Sequence, residues 1–133
     1  MNYFKQLEQL LDASFAPYSG FNVASIVILK DGRSFKGVNV ESAAYPTTNC
    51  AERNAIQTAV TEGANVGDLQ EVHILARNAA KELVQVYPCG SCRQVIAEQS
   101  LNDTLIYCYA SQDEVKTHSI AELLPFGFLG AEL

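Results

Sequence analysis

Apolar residues recur at intervals of three and four in several stretches of this chain, which is the spacing of an amphipathic helix. The first stretch stops before Pro17 and Gly20, which favour a loop. The second ends at Gly63, and the third follows Pro88, a residue common at helix starts. We therefore predict four helices, over residues 2–13, 51–63, 89–99 and 120–125.

Runs rich in β-branched and aromatic residues lie between these stretches. Two of them flank Asp31 and Gly32, a turn-forming pair, and so predict a β-hairpin. The five predicted strands cover residues 24–30, 34–40, 71–77, 104–110 and 114–120, and a short additional strand is expected within 80–86.

Strands that alternate with helices predict a layered α/β domain. We expect its sheet to begin antiparallel in the hairpin and to become parallel through the later crossovers. The predicted helices near Cys50 and Cys89 then begin beside strand ends, where open α/β sheets usually bind ligands.

Composition adds limits on size and partners. With 133 residues, the chain has the length of one domain, residues 1–133. Hydrophobic residues make up 48 % and charged residues 18 %, which is typical of a folded globular protein. The net charge of -6 and the pI near 4.8 argue against a nucleic acid or an anionic membrane as partner and favour a neutral small molecule.

The first residues lack the basic region and continuous apolar run of a secretory signal, and no apolar run approaches the ~20 residues of a membrane span. We therefore expect a cytoplasmic protein, in which thiols stay reduced. Clustered cysteines in such a protein are more often metal ligands or catalysts than disulfides.

Three of the four cysteines form a pattern. Cys89 and Cys92 lie three apart in the first turn of a predicted helix, where the helix dipole stabilises thiolates. Alone, this pair is equally consistent with a redox site. Cys50 lies 39 positions earlier, also at a predicted helix start, and supplies a third soft ligand for Zn²⁺.

The remaining candidates for a fourth ligand are Cys108, His73 and His118, and each is expected to be a packed or surface residue. Three protein ligands leave one coordination position for water, which is typical of a catalytic zinc.

Glu52 follows Cys50 by two positions and is predicted to act as the general base and acid beside the metal. Its alternative role is to stabilise the start of a helix. The charge of three thiolates requires an offset, and Arg53 or Arg93 could donate a hydrogen bond to a cysteine sulfur. The sequence leaves the choice between these two arginines open.

The residues Cys50-Ala51-Glu52 followed by Pro88-Cys89-x-x-Cys92 match the three-cysteine form of the zinc-deaminase signature. Over most of its length the chain resembles the small, homotetrameric type of cytidine deaminase. The motifs that carry this resemblance are APYS at 16–19, GVNVE at 37–41, CAER at 50–53, CGSCRQ at 89–94 and LLP at 123–125.

The resemblance implies a three-layer fold with a mixed five-stranded sheet flanked by helices, and one Zn²⁺ per subunit. It also implies hydrolytic deamination of cytidine and 2'-deoxycytidine to uridine and 2'-deoxyuridine, with release of ammonia. In this reaction Glu52 would protonate N3 of the base and then the departing amine. Phe21 would stack on the base, and the Ala51 backbone would contact it.

Further roles come from the same resemblance. Asn39 and Glu41 would hydrogen-bond the ribose hydroxyls, Tyr45 would make an intersubunit contact, and Phe128 in the tail would pack against the nucleoside. The homotetramer is likewise implied only by the resemblance. The chain departs from the family pattern at Ser42, Asn49, Asn54 and residues 125–130.

Three alternatives stay open at this point. The chain could deaminate a modified or antibiotic cytosine nucleoside, since specificity lies outside the metal site. It could be a non-catalytic zinc-binding module. It could be a thiol redox protein built on Cys89 and Cys92, in which Cys50 would have no role.

Overall fold

Strands and helices alternate along the chain much as the apolar spacing predicts. The computed structural model describes residues 2–133. The elements are α1 (Phe4–Leu10), β1 (Asn22–Leu29), β2 (Ser34–Val38), α2 (Ala51–Thr61), β3 (Leu69–Arg77), β4 (Leu83–Val84), α3 (Gly90–Gln99), β5 (Leu105–Tyr109), β6 (Val115–Ser119) and α4 (Ile120–Leu123). Short 3₁₀ turns cover Leu11–Ala13 and Tyr45–Thr47.

The predicted β-hairpin is confirmed. β1 and β2 pair antiparallel with Ile28 opposite Ser34, and the chain turns between them through Gly32. The φ angle of Gly32 is 92°, a conformation that glycine adopts without the steric cost of a side chain. The Asp-Gly signal therefore places both strands correctly.

The sheet has the strand order β2-β1-β3-β5-β6, and β4 pairs with β3. Only the β3–β5 pair is parallel, whereas the other pairs are antiparallel. The expected change to a parallel sheet is therefore limited to one pair. The reason is that the β2-α2-β3 crossover passes over β1, so β3 runs parallel to β2 but antiparallel to the strand beside it.

Helices cover both faces of this sheet. On one face α2, α3 and α4 contribute Ile56, Ile96 and Ile120 to a core that also contains Val27 and Val72. On the other face α1 packs through Leu7. The three-layer α/β class is thus confirmed, and the short β4 raises the number of strands from five to six among residues 2–133.

Some element ends differ from the prediction. The first helix ends at Leu10 and continues as a 3₁₀ turn, which tightens the chain before the loop at Pro17. The last helix is only four residues long, although Ser119 and Glu122 form a complete capping box at its start. Among residues 2–133, no helix combines the length and apolarity needed to cross a membrane.

β2 and α2 approach each other closely at Gly37. A Cβ atom on Gly37 would lie 2.3 Å from the Ala51 carbonyl oxygen and 2.5 Å from the Ala55 nitrogen. Only a residue without a side chain permits this contact. Gly37 therefore fixes the start of α2, which is where Cys50 and Glu52 lie.

Candidate active site

Three cysteine sulfurs meet where two helices begin. Cys50 is the N-cap residue of α2, Cys89 is the N-cap residue of α3, and Cys92 lies in the first turn of α3. Their three sulfur atoms all lie within 4.8 Å of one another, and those of Cys50 and Cys89 are 3.9 Å apart. The predicted pattern of cysteines thus corresponds to one compact group.

This donor set fits a zinc ion. Tetrahedral coordination with Zn–S bonds of about 2.3 Å places sulfurs roughly 3.8 Å apart. All three cysteines are free thiols. Within residues 2–133, no fourth His, Cys, Asp or Glu joins the group at that spacing. The arrangement therefore leaves room for one ligand that the protein does not provide.

The thiols of Cys50 and Cys92 differ in acidity. The hydrogen bond from Cys92 and the contact with Arg53 lower the pKa of Cys50 to about 5. For Cys92, the hydrogen bond to Cys50 and the burial of the thiol raise the pKa. The Cys92 backbone N–H also donates to the Cys89 sulfur at 3.5 Å. The first negative charge of the group therefore falls on Cys50.

Arg53 provides the nearest positive charge. Its guanidinium Nη2 donates to the Cys50 sulfur at 3.2 Å. Arg93, the other candidate from the sequence, instead donates to the carbonyl oxygens of Pro88 and Leu123. Of these two arginines, Arg53 is the one placed to offset thiolate charge, while Arg93 ties α3 to α4.

Glu52 lies in the first turn of α2 and is only 5 % exposed. Burial raises the pKa of its carboxyl to about 7, and the negative charge of Cys50 adds to this effect. A carboxyl that remains beside a cavity under these conditions can both accept and donate a proton near neutral pH.

A cavity of about 270 Å³ opens beside the cysteines. Glu52, Cys50 and Cys89 line one part of it, and the ring of Phe21 lines another. The remaining lining residues are Val23, Asn39, Thr48, Ala51, Val86 and Tyr87. A mainly apolar cavity with one buried acid and one aromatic ring suits a flat, uncharged ligand.

Residues 1–108 match a sequence model of the cytidine and deoxycytidylate deaminase zinc-binding region. This match includes the three cysteines and Glu52. The chain belongs to the cytidine deaminase family. The family that the cysteine and glutamate pattern predicted is therefore confirmed, and with it the class of zinc-dependent hydrolases.

Whole-length comparisons agree. The chain is 36 % identical over 129 residues to a cytidine deaminase of Halalkalibacterium halodurans, covering 97 % of this chain and 93 % of the relative. It is 37 % identical over 124 residues to that of Mycoplasma genitalium, covering 93 % and 91 %. The crystal structure of the Burkholderia pseudomallei cytidine deaminase superposes with a TM-score of 0.85 at 31 % identity, covering 94 % of this chain and 95 % of the other.

Asn39 is held firmly at the cavity wall of this family member. Its Oδ1 accepts hydrogen bonds from the Ser14 hydroxyl and the Val23 N–H, and its Nδ2 donates to the Phe21 carbonyl at 2.8 Å. These backbone partners fix which end of the amide is oxygen. The second N–H of the Asn39 side-chain amide remains available to donate to a ligand.

Glu41 lies next to the cavity and not in its lining. Its carboxylate accepts hydrogen bonds from the backbone N–H groups of Tyr18 and Ser19, both at 3.1 Å, and from the Ser19 hydroxyl. These bonds hold the loop that leads to Phe21. Glu41 and Tyr45 line a second depression, which shares Thr48 with the cavity.

The remaining predicted contacts lie further out. Tyr45 is 73 % exposed, with its ring edge near Tyr18. Phe128 is 57 % exposed, and its carbonyl accepts a hydrogen bond from Gln94. Neither ring lines the cavity within a single copy of the chain.

The sequence analysis missed Val23, Thr48, Val86 and Tyr87 as lining residues. The last three lie within three positions of Cys50 or Cys89, and this proximity is the signal that could have identified them. Val23 follows Phe21 by two positions along β1. Two residues that depart from the family pattern, Asn49 and Asn54, make hydrogen bonds at the start of α2. Asn49 donates to Asn54 at 2.6 Å, and Asn54 donates to the Val38 carbonyl at 2.7 Å, so this pair ties the start of α2 to β2.

Proposed function

We propose that this chain catalyses the zinc-dependent hydrolytic deamination of cytidine and 2'-deoxycytidine to uridine and 2'-deoxyuridine, with release of ammonia. The observation that supports this most directly is the buried Glu52 carboxyl, which lines one cavity together with Cys50 and Cys89, two of the three cysteines whose sulfurs converge. The family membership supports it independently.

Cys50, Cys89 and Cys92 would hold the metal. The chemistry that zinc supplies when bound is Lewis-acid activation of water for attack on C4 of the base. The two helix N-termini stabilise the thiolates, and Arg53 donates to Cys50. These contacts reduce the electron density that three thiolates bring to the site.

Glu52 carries the proton. Its carboxylate accepts the proton that the attacking water loses and delivers it to N3 of the base. The same carboxylate then takes the second proton from the new hydroxyl at C4 and passes it to the amine. The C4–N bond breaks as the C4 carbonyl forms, so that one water and one cytidine give one uridine and one ammonia. Only Ala51 separates Glu52 from Cys50, so the carboxyl would stay close to a bound metal.

The proposed substrate contacts come from residues of the cavity wall and from Glu41 next to it. Phe21 stacks on the base, and the Ala51 backbone binds the base edge. The remaining N–H of Asn39 donates to a ribose oxygen, while the free lone pairs of the Glu41 carboxylate accept from a ribose hydroxyl. Ordering of the loop by Glu41 supports this placement, because the same loop carries Phe21.

The resemblance to the small type of cytidine deaminase supports a homotetramer in which Tyr45 contacts a neighbouring subunit and Phe128 packs against the nucleoside. Their large exposed fractions in a single copy are compatible with burial in such contacts. A role in pyrimidine salvage in the cytoplasm is part of the same proposal.

The decisive experiment is an ultraviolet assay with cytidine, run together with metal analysis of the same sample. We expect one zinc per subunit and turnover of cytidine and deoxycytidine. The acidic chain should turn over cytidine monophosphate poorly, because no basic group among the lining residues offers a phosphate contact. A much higher kcat/KM for a modified cytosine nucleoside than for cytidine would replace the salvage role.

A further inference from the structure

Tyr87 forms a second aromatic wall of the cavity. It lies between β4 and α3, two positions before Cys89, and it lines the cavity together with Phe21. The side chain is 40 % exposed, so it stands at the rim. Only Pro88 separates Tyr87 from Cys89, which lines the same cavity, so this wall lies near the proposed metal site.

His118 packs against Tyr87 from a different part of the fold. The two rings meet edge to face, with centroids 5.6 Å apart and planes at 64°. His118 is the fourth residue of β6, and its Nδ1 lies 3.6 Å from the Glu122 carboxylate of α4. Among residues 2–133, its Nε2 is buried without a hydrogen-bond partner. The imidazole is therefore held mainly by packing, and it limits where Tyr87 can move.

The cavity is small, so the position of Tyr87 affects how much space a ligand has. Its volume of about 270 Å³ is slightly below the range of small-molecule sites, roughly 300–1,000 Å³. A phenol ring in the wall of so small a cavity leaves little space around the base. With the base placed as proposed above, an additional substituent on its reacting end would point toward the wall that Tyr87 forms.

We propose that Tyr87, positioned by His118, sets the size limit for substituents at C5 or on the exocyclic amine of the cytosine ring. This inference rests on the proposed deamination of cytidine and specifies which nucleosides the same site accepts. Tyr87 would act as a specificity residue, and His118 as a positioning residue that acts through it.

The test compares kcat/KM for cytidine, 5-methylcytidine and N4-methylcytidine in the zinc-loaded wild type, Tyr87→Ala and Tyr87→Phe. We expect the wild type to prefer cytidine, and Tyr87→Ala to reduce this preference about tenfold or more for at least one of the methylated substrates. Tyr87→Phe keeps the ring and should keep the preference. An unchanged ratio for both methylated substrates in Tyr87→Ala would overturn the proposal.

A second pair of variants tests the positioning role. His118→Phe retains an aromatic edge against Tyr87, whereas His118→Ala removes it. We expect His118→Ala to relax the same ratio and His118→Phe to preserve it. A general loss of folding would lower all three activities together and would not change their ratio. Equal ratios in His118→Ala and the wild type would remove His118 from the proposal.

Ligand binding separates this inference from the proposed function. Calorimetry of uridine and 5-methyluridine with the same proteins reports the fit without turnover. A wild type that turns over no cytidine would refute the proposed function, yet a tighter fit of 5-methyluridine in Tyr87→Ala would still support the size limit. Cytidine turnover with unchanged ratios and unchanged relative product binding would refute the size limit alone.

Discussion

Glu52 combines burial with a fixed position beside three thiols, and no other glutamate of α2 shares this setting. Glu62 lies at the opposite end of the same helix and is exposed. The pair therefore allows a comparison between the proposed catalytic carboxylate and an exposed one at the other end of the helix.

We predict that Glu52→Gln keeps the shape of the site but loses the proton acceptor. The expected loss in kcat is at least 10²-fold, roughly the contribution of general acid–base catalysis. Zinc content, measured by metal analysis, should stay at one per subunit. Glu62→Gln should retain activity close to that of the wild type. Comparable kcat values in Glu52→Gln and the wild type would remove Glu52 from the mechanism.

Single residues also show which parts of the site can be predicted from the sequence. The cysteine group is predictable because Cys50 and Cys89 are N-cap residues and Cys92 lies in a first helical turn, and helix starts are visible in the pattern of apolar and polar residues. Tyr87 is not predictable in the same way. Whether a residue before Pro88 faces a cavity or solvent depends on β6 and His118, which are about thirty positions away.

At the scale of elements, the contact of β2 with α2 depends on one missing side chain. Gly37→Ala would place a methyl group 2.3 Å from the Ala51 carbonyl, and both neighbours there are backbone atoms that cannot rotate away. We expect the free energy of unfolding to fall by about 3 kcal/mol, as in overpacked cores. Activity should fall as well, because the shift moves Cys50 and Glu52.

Gly90→Ala is the matched control for this prediction. A Cβ on Gly90 meets no atom within 4 Å, and the residue lies at the first position of α3. Its unfolding in urea should resemble that of the wild type. Equal stabilities of Gly37→Ala and Gly90→Ala would mean that β2 can move away from α2 at no cost.

The α1 face of β3 carries a buried histidine that the catalytic proposal does not use. His73 Nε2 lies 2.9 Å from the Glu71 carboxylate, and its Nδ1 lies 2.8 Å from the Tyr109 hydroxyl. Its ring stacks on Tyr107 at 4.5 Å. Since a carboxylate only accepts, Nε2 carries the hydrogen of the neutral ring and Nδ1 accepts from Tyr109.

Burial lowers the pKa of His73 below the value of 6.5 for an unperturbed histidine, although Glu71 opposes the shift. Between these two pKa values the unfolded chain binds a proton that the folded chain does not. We therefore expect stability to be fully present above about pH 6.5 and to fall as the pH decreases, by at most about 1.4 kcal/mol per pH unit.

Urea unfolding at several pH values, with an NMR titration of the His73 ring, checks this prediction. The Glu52→Gln variant is the better background. The raised pKa of Glu52, about 7, makes the folded wild type bind an extra proton and so acts in the opposite direction. A His73 ring that titrates at or above pH 6.5 would contradict the prediction.

Element order is where the sequence analysis was only partly right. The Asp-Gly pair and the apolar periods identify the hairpin and the helices, since these depend on local spacing. The antiparallel placement of β3 beside β1 depends on which edge of the hairpin the crossover reaches, and local spacing does not encode this. The short additional strand expected within 80–86 is β4, which has only two residues.

For the whole molecule, a zinc ion held by Cys50, Cys89 and Cys92 would join α2 and α3, two helices of the same layer. We predict that chelation of zinc lowers the melting temperature as well as removing activity. An ion that binds only the folded chain stabilises it by about 2.7 kcal/mol when its free concentration is a hundred times its dissociation constant. Calorimetric scans with and without added zinc measure this difference.

Cys89→Ala should lose both the ion and the zinc-dependent part of this stability. Cys108→Ala is the control, because Cys108 is a buried thiol in β5 outside the metal group. That variant should melt earlier because a core atom is lost, yet still respond to zinc. One zinc per subunit in Cys89→Ala would contradict the proposed ligand set.

The separation of Cys50 from Cys89 along the chain also bears on when the ion can enter. β3 lies between them in sequence, and it takes the central place in the sheet between β1 and β5. The sulfurs converge only once this long-range pairing exists, so zinc captures a nearly finished fold instead of nucleating one. Refolding rates should therefore be similar with and without the ion, and metal supplied after refolding should restore full occupancy.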